Sequence, residues 1–110
     1  MPVAMLERRI EPRMLCADVV EVQWKDSRGR THLAVANLED ISRCGAALQV
    51  ASPVPIGTNL NLTHQKGELR GTVKSCVLRE MGYHLGIEFE PGWEWSPKSF
   101  RPLHLFNPRR

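Results

Sequence analysis

The sequence predicts an all-β fold: a six-stranded antiparallel β-barrel with a basic N-terminal arm and a short C-terminal tail. Apolar and polar residues alternate in six short segments between residues 17 and 90. Clusters of Gly, Pro, Asp and Ser separate these segments, and no helical periodicity occurs before residue 91. A chain of 110 residues, 42% of them hydrophobic, is long enough for one domain with a modest core.

The first half of the chain contains three predicted strands. The first spans 17–25 and ends in a turn, 26–29, whose Gly29 occupies a position that favours a positive φ. The second strand starts near Thr31, and the third follows the interruption at Gly45. The inward residues we expect from alternation are Val20, Val22 and Trp24 in the first strand, Leu33 and Val35 in the second, and Ala46, Leu48 and Val50 in the third.

The second half contains three more strands after a loop at 52–57, where two prolines and a glycine oppose strand pairing. A hairpin turn at 65–67 joins the fourth strand to a longer fifth strand, 68–79, whose second half we expect to bulge. The expected inward residues are Leu60 and Leu62, then Leu69, Gly71 and Val73, then Tyr83, Leu85, Ile87 and Phe89.

The tail, 91–110, combines six large apolar side chains with several prolines. So many apolar groups predict that the tail docks on the barrel, with a short helix between Pro97 and Phe106. The resulting organisation is an arm at 1–15, a barrel at 16–90 and a tail at 91–110.

Several function classes find no support in the sequence. It contains no phosphate-binding loop, dinucleotide fingerprint, metalloprotease helix or nucleophile elbow, so we do not expect an enzyme. We expect no metal and no cofactor, because the four histidines, at 32, 64, 84 and 104, lie singly on different segments. Three widely spaced cysteines, at 16, 44 and 76, and the absence of a long apolar run favour a reduced, cytoplasmic protein with no membrane partner.

The positive charge is concentrated at the two ends of the chain. Residues 1–13 carry three arginines against two glutamates, a net charge of +1, and residues 91–110 carry a net charge of +3. The segment between them, 14–90, carries eight basic against nine acidic residues, a net charge of −1. A nucleic-acid polymer is therefore an improbable partner, because polymer-binding domains usually spread basic residues over one face of the fold. Guanidinium groups at Arg8, Arg9 and Arg13 still indicate an anionic partner.

Two motifs combine with this predicted barrel. Arg9-x-x-x-Arg13 precedes the first strand, and Asp40-x-Ser42-x-x-Gly45 follows the second. Together with the later segment 86–89, in which a small residue precedes two inward apolar residues, they resemble the PilZ family, bacterial domains that bind cyclic di-GMP. The resemblance covers roughly residues 7 to 90. It implies a receptor that changes conformation on binding this second messenger and then signals to an unidentified downstream protein.

The chemistry of the motif residues agrees with that ligand. Arg9 and Arg13 can donate in pairs to phosphate oxygens or to guanine O6 and N7. Asp40 can accept from the guanine N1–H and N2–H₂ groups, and the Ser42 hydroxyl can both donate and accept. Gly45 permits close approach of the backbone to the ligand, a positive φ or a bulge. An arginine at the position of Arg8 is associated in the family with an intercalated ligand dimer, so we include Arg8 in the site.

Two other functions remain open. The chain could be a barrel of this type that no longer binds nucleotide and acts only through protein contacts, with Trp93, Trp95 and Phe100 as its contact patch. It could also be a small nucleic-acid-binding barrel, which the pI near 9.0 favours. Asp40 and Ser42 could likewise form a turn that caps a strand end without contacting a ligand.

Overall fold

The computed structural model describes residues 14–65, 67–92, 96 and 105–106, and within them every regular element is a strand. Six strands follow the order expected from the sequence, and a short seventh strand comes from the tail. Their bounds are β1 Met14–Lys25, β2 Thr31–Ile41, β3 Gly45–Val50, β4 Asn59–His64, β5 Gly67–Arg79, β6 Gly82–Phe89 and β7 Leu105–Phe106. The first strand thus begins three residues before its predicted start.

The six main strands close into an antiparallel barrel. Hydrogen-bonded neighbours run in the order β2-β3-β6-β5-β4-β1, and the pairing of β1 with β2 completes the ring. On its other edge β1 pairs with β4 only over Glu21–Gln23, although β1 continues to Lys25. Backbone hydrogen bonding between β1 and β4 is therefore incomplete. We call this junction of the two strands the seam.

The inward faces of five strands agree with the alternation in the sequence. Trp24 and Tyr83 are partly buried, and the other predicted inward residues of β1, β3, β4, β5 and β6 are buried. Gly29 has the expected positive φ, 81°. The fifth strand also bulges in its second half, where the pairing with β6 shifts register between Val73 and Ser75.

The inward residues predicted for β2 were wrong. Leu33 and Val35 are exposed, at 74% and 65%, whereas Ala36 and Leu38 are buried. The reason is the register with β1, in which Val20 pairs with Ala36. Directly opposed residues of an antiparallel pair share a face of the sheet, so the buried side chain of Val20 places Ala36 inward and its neighbour Val35 outward.

The predicted tail helix does not extend to its predicted end. Leu105 and Phe106 form strand β7 and pair with Cys16 and Leu15 of β1. This pairing lies on the N-terminal half of β1, beyond the section of that strand that pairs with β4. The rest of the predicted helix, 97–104, lies outside the described residues.

Candidate functional site

The motif Asp40-x-Ser42-x-x-Gly45 forms the connection between β2 and β3. Asp40 and Ile41 end β2, Gly45 begins β3, and Ile41 pairs with Ala46 across the hairpin. Three residues, 42–44, make the turn. The motif is thus confined to one tight hairpin at one end of the barrel.

Asp40 owes its orientation to a bulge. In the pairing of β2 with β3, Leu38 lies opposite Leu48 and Asp40 opposite Ala47, so Glu39 is the extra residue. The bulge shifts the alternation by one position, and Leu38 and Ile41 are both fully buried although they lie three residues apart. Strict alternation from Leu38 would have placed Asp40 in the core. Instead, the side chain of Asp40 is only half-buried.

Ser42 closes the hairpin turn. Its backbone N–H donates to the carbonyl oxygen of Gly45 at 2.8 Å, and its hydroxyl reaches the same oxygen at 3.3 Å. The residue is buried, with 8% of its surface exposed. Both of these contacts of Ser42 belong to the turn, as expected if Asp40 and Ser42 form a turn at a strand end. A hydroxyl that donates to Gly45 keeps its lone pairs for a donor on a ligand.

Gly45 is required by close packing of backbone against backbone. A Cβ atom at this position would lie 2.3 Å from the carbonyl oxygen of Ile87 on β6. Gly45 is not among the described glycines with a positive φ, and the β2 bulge lies at Glu39 instead. Close packing against β6 is a further role of Gly45, and close approach to the ligand stays a prediction.

The barrel end that carries Asp40 is acidic. Cys16 is buried on β1, and its pKa is raised to about 12, first by burial and then by the nearby carboxylates of Asp18, Asp40 and Glu39. Three carboxylates thus act on one buried thiol. An anionic ligand at this end would meet an unfavourable field unless cations accompany it.

The arm joins the barrel at this same end. The first residue of β1, Met14, follows Arg13 directly in the sequence and pairs with Ile41, while Leu15 pairs with Asp40. The residue that follows Arg13 in the chain is therefore paired with the end of β2, next to the hairpin. Arg8, Arg9 and Arg13 lie outside the described residues. The structure brings together Asp40, Ser42 and Gly45.

A buried polar pair near this end was missed in the sequence. His64 at the end of β4 and Asp18 on β1 have side chains that are almost fully buried, and His64 Nε2 lies 2.5 Å from Asp18 Oδ2. Both residues occupy inward positions of their strands, Asp18 in phase with Val20 and His64 in phase with Leu62. The sequence did contain a signal for this pair, since Asp18 and His64 are polar residues at inward positions of different strands. Buried polar groups require partners, so the two could have been expected to pair.

Among the described residues, no group of three His, Cys, Asp or Glu side chains is arranged to hold a metal ion. In the same part of the chain, no helix is both long and apolar enough to cross a lipid bilayer. Trp93, Trp95 and Phe100, which would form the contact patch of a pure adaptor, lie outside the described residues.

Comparison with known families identifies the chain. Residues 7–93, which include both motifs and all six barrel strands, match the PilZ domain family. The chain therefore belongs to the PilZ family of cyclic di-GMP-binding domains, a family of binding and adaptor domains rather than of enzymes. The comparison with curated proteins found no match.

Proposed function

We propose that this protein is a receptor for cyclic di-GMP, held between Arg8, Arg9 and Arg13 of the arm and Asp40, Ser42 and Gly45 of the β2–β3 hairpin. Membership of the PilZ family supports the ligand class. The observation that carries the proposal is the pairing of Met14 with Ile41, because the arginine motif directly precedes Met14 in the sequence.

The two halves of the site supply different chemistry. Asp40, turned outward by the bulge, offers carboxylate oxygens to the N1–H and N2–H₂ groups of a guanine. The arginines offer paired donors to phosphate oxygens and to guanine O6 and N7. Carboxylates at this end of the barrel repel phosphates, and the arginines of the arm supply positive charge against that repulsion. The arm is therefore expected to strengthen binding of the phosphates.

Ligand binding is the signalling step in this proposal. Cyclic di-GMP bridges the arm to the hairpin, and the rearranged arm gives that end of the barrel a new surface that a downstream protein recognises. The signal is relayed inside the cytoplasm, without a membrane or a nucleic acid as partner.

Calorimetric titration with cyclic di-GMP tests the proposal. We expect saturable binding at micromolar concentrations, and a loss of at least tenfold in affinity for Arg13→Ala, because each charge-assisted hydrogen bond contributes about 1.5–3 kcal/mol. Ser42→Ala should weaken binding less, since it removes one neutral group. The matched control is Arg28→Ala, which removes an exposed arginine from the β1–β2 turn. Absence of saturable binding by the native protein at tens of micromolar would exclude this function.

A second function, an adaptor that binds only proteins, is favoured by one surface. Apolar side chains are exposed around the β5–β6 turn, with Val77 at 45%, Leu78 at 67% and Met81 at 80%. Exposed apolar clusters of this kind often mark protein contacts. If the calorimetric titration shows no binding while Leu78→Ser abolishes capture of a partner protein, the adaptor function replaces the receptor function.

A further inference from the structure

A cleft opens on the barrel at the seam between β1 and β4. The ladder between these strands ends at the pair formed by Gln23 and Asn61, although β1 runs on to Lys25 and β4 already starts at Asn59. Beyond that pair a cleft of about 460 Å³ lies between the strands, with β5 forming its far side. Its volume lies in the range of about 300–1,000 Å³ that is typical of small-molecule sites.

The cleft is separate from the hairpin that carries Asp40. A row of opposed residues connects the two places across four strands: Gly45 pairs with Glu88, Glu88 with Thr72, and Thr72 with Asn59. Three steps between neighbouring strands correspond to about 14 Å. No residue of the Asp40–Gly45 motif lines the cleft.

Three of the seven polar residues that line the cleft are carboxamides. Gln23, Asn59 and Asn61 contribute three amide side chains, and the Thr72 hydroxyl donates to Asn59 Oδ1 at 2.9 Å. That bond leaves the Asn59 NH₂ group as a donor and the Thr72 oxygen as an acceptor. A carboxamide presents a donor and an acceptor side by side, which matches the adjacent hydroxyl groups of a sugar, since each of these also donates and accepts.

The indole ring of Trp24 is held in place by a neighbouring histidine. Trp24 lines the cleft and packs partly against the core, while His32 stacks on its ring with centroids 5.2 Å apart and an interplanar angle of 10°. His32 is in turn bound to Asp26, Nε2 to Oδ2, at 2.8 Å, and this bond is the main cause of the lowered pKa of Asp26. Trp24 lies in the inward phase of β1 and Gln23 in the outward phase, so the indole closes the inner side of the cleft and the amide lines its outer side.

The charges around the cleft disfavour a polyanion. Lys25 and Arg70 line it together with Glu90. The next outward row on the same three strands adds two carboxylates, because Glu21 and Glu68 both lie opposite Thr63. Two cations against three carboxylates do not give the excess positive charge that nucleic-acid binding requires.

We propose that this seam cleft binds a neutral oligosaccharide, with the carboxamides of Gln23, Asn59 and Asn61 holding sugar hydroxyls on its outer side and Trp24 closing its inner side. The site is independent of the cyclic di-GMP site, and the protein carries two ligands of different chemistry on one barrel.

Titration of the full-length ¹⁵N-labelled protein by NMR, without cyclic di-GMP, tests this. The probes are maltotriose, cellotriose and xylotriose, with an oligothymidylate as the anionic comparison. We expect at least one trisaccharide to cause saturable shifts centred on the residues that line the cleft. The double variant Gln23→Ala/Asn61→Ala should weaken that binding about tenfold. The matched control, Thr63→Ala, changes an exposed residue on the same strand outside the cleft and should bind normally.

Three outcomes would overturn the proposal: no saturable shifts with any of the trisaccharides at tens of millimolar, tighter binding of the oligothymidylate in the cleft, or unchanged affinity in the double variant. Folding of the variant is checked from its own NMR spectrum. Saccharide binding does not depend on Arg13 or Ser42. The NMR titration with saccharides and the calorimetric titration with cyclic di-GMP can therefore fail independently of each other.

Discussion

The hairpin end of the barrel and the seam cleft both carry polar side chains, but the two places differ in charge. Each presents polar side chains where regular strand pairing is interrupted, by a bulge at Glu39 in one case and by the end of the β1–β4 ladder in the other. The hairpin end gathers carboxylates, of which three act on Cys16, whereas the cleft combines three uncharged amides with charges of both signs. An irregularity in a barrel creates a place for a ligand, but the charge around it decides which ligand.

The two places also differ in which segments of the chain supply the groups that bind the proposed ligand. Every group that we assign to the cleft belongs to the barrel wall itself. The hairpin end offers acceptors and negative charge, and the arginines that we assign to the anionic ligand lie in the arm. The proposed dinucleotide site therefore combines two segments of the chain, whereas the groups assigned to the ligand of the cleft lie on the neighbouring strands β1 and β4. The following changes test this contrast, from the largest expected effect to the smallest.

The largest effect is expected from the double variant Arg9→Ala/Arg13→Ala. Loss of two sets of charge-assisted bonds should remove about 3–6 kcal/mol of cyclic di-GMP binding, more than a hundredfold in affinity by calorimetry. Gln23→Ala in the seam cleft is the control and should bind the dinucleotide normally. If both variants lose affinity equally, the two places are not distinct sites.

Gly45→Ala should destabilise the fold itself. The added methyl group would meet the Ile87 carbonyl oxygen at 2.3 Å, and relief of such overpacking typically costs about 1–3 kcal/mol. Urea denaturation measures the change in the free energy of unfolding. Cys44→Ala, at the exposed neighbouring residue, should change it little. An unchanged unfolding free energy for Gly45→Ala would show that the glycine is not required for packing between β3 and β6.

Burial, and after it the carboxylates of the hairpin end, predicts different reactivity for two of the cysteines. Exposed Cys44 should react with iodoacetamide at pH 8, whereas Cys16, with its pKa near 12, should not. The unfolded thiol releases its proton above about pH 9, but the folded one retains it to about pH 12. This contribution to stability is therefore complete below pH 9 and is lost as the pH rises towards 12.

Asp40→Asn should lower the pKa of Cys16, because the Asp40 carboxylate is one of the charges that raise it. The pH dependence of alkylation, measured in a background with Cys44→Ser and Cys76→Ser, reports the shift. Asn61→Ala serves as the control from the seam cleft and should leave the profile unchanged. An Asp40→Asn profile that coincides with the native one would mean that the field at Cys16 does not come from the hairpin.

The smallest effect is expected from Thr72→Val. It removes the exposed bond to Asn59, which is worth about 0.5–1 kcal/mol at most, and keeps the shape of the side chain. Unfolding by urea should show this small loss, and calorimetry should show unchanged affinity for cyclic di-GMP. A marked fall in that affinity would indicate that the row from Asn59 to Gly45 couples the two places.

Much of the architecture follows from local signals in the sequence. Alternation identified all six barrel strands and the inward face of five, and Gly29 marked its turn by the positive φ that it adopts. The spacing of the Arg9 and Asp40 motifs around one strand pair indicated the PilZ family, which the match over 7–93 confirms. These features depend on residues that are neighbours in the chain, so one sequence suffices to predict them.

Other features depended on which strands become partners. Along β2 both phases are apolar, Leu33 and Val35 on one and Ala34 and Ala36 on the other, so alternation alone could not choose the inward set. Pairing of Val20 with Ala36 chose it. Tertiary structure alone also brought Asp18 to His64, turned Asp40 outward and paired Leu105 with Cys16. The sequence by itself determined the strands, because side-chain alternation is local; the register between distant strands decided which polar groups meet, because a shift of one residue reverses every face.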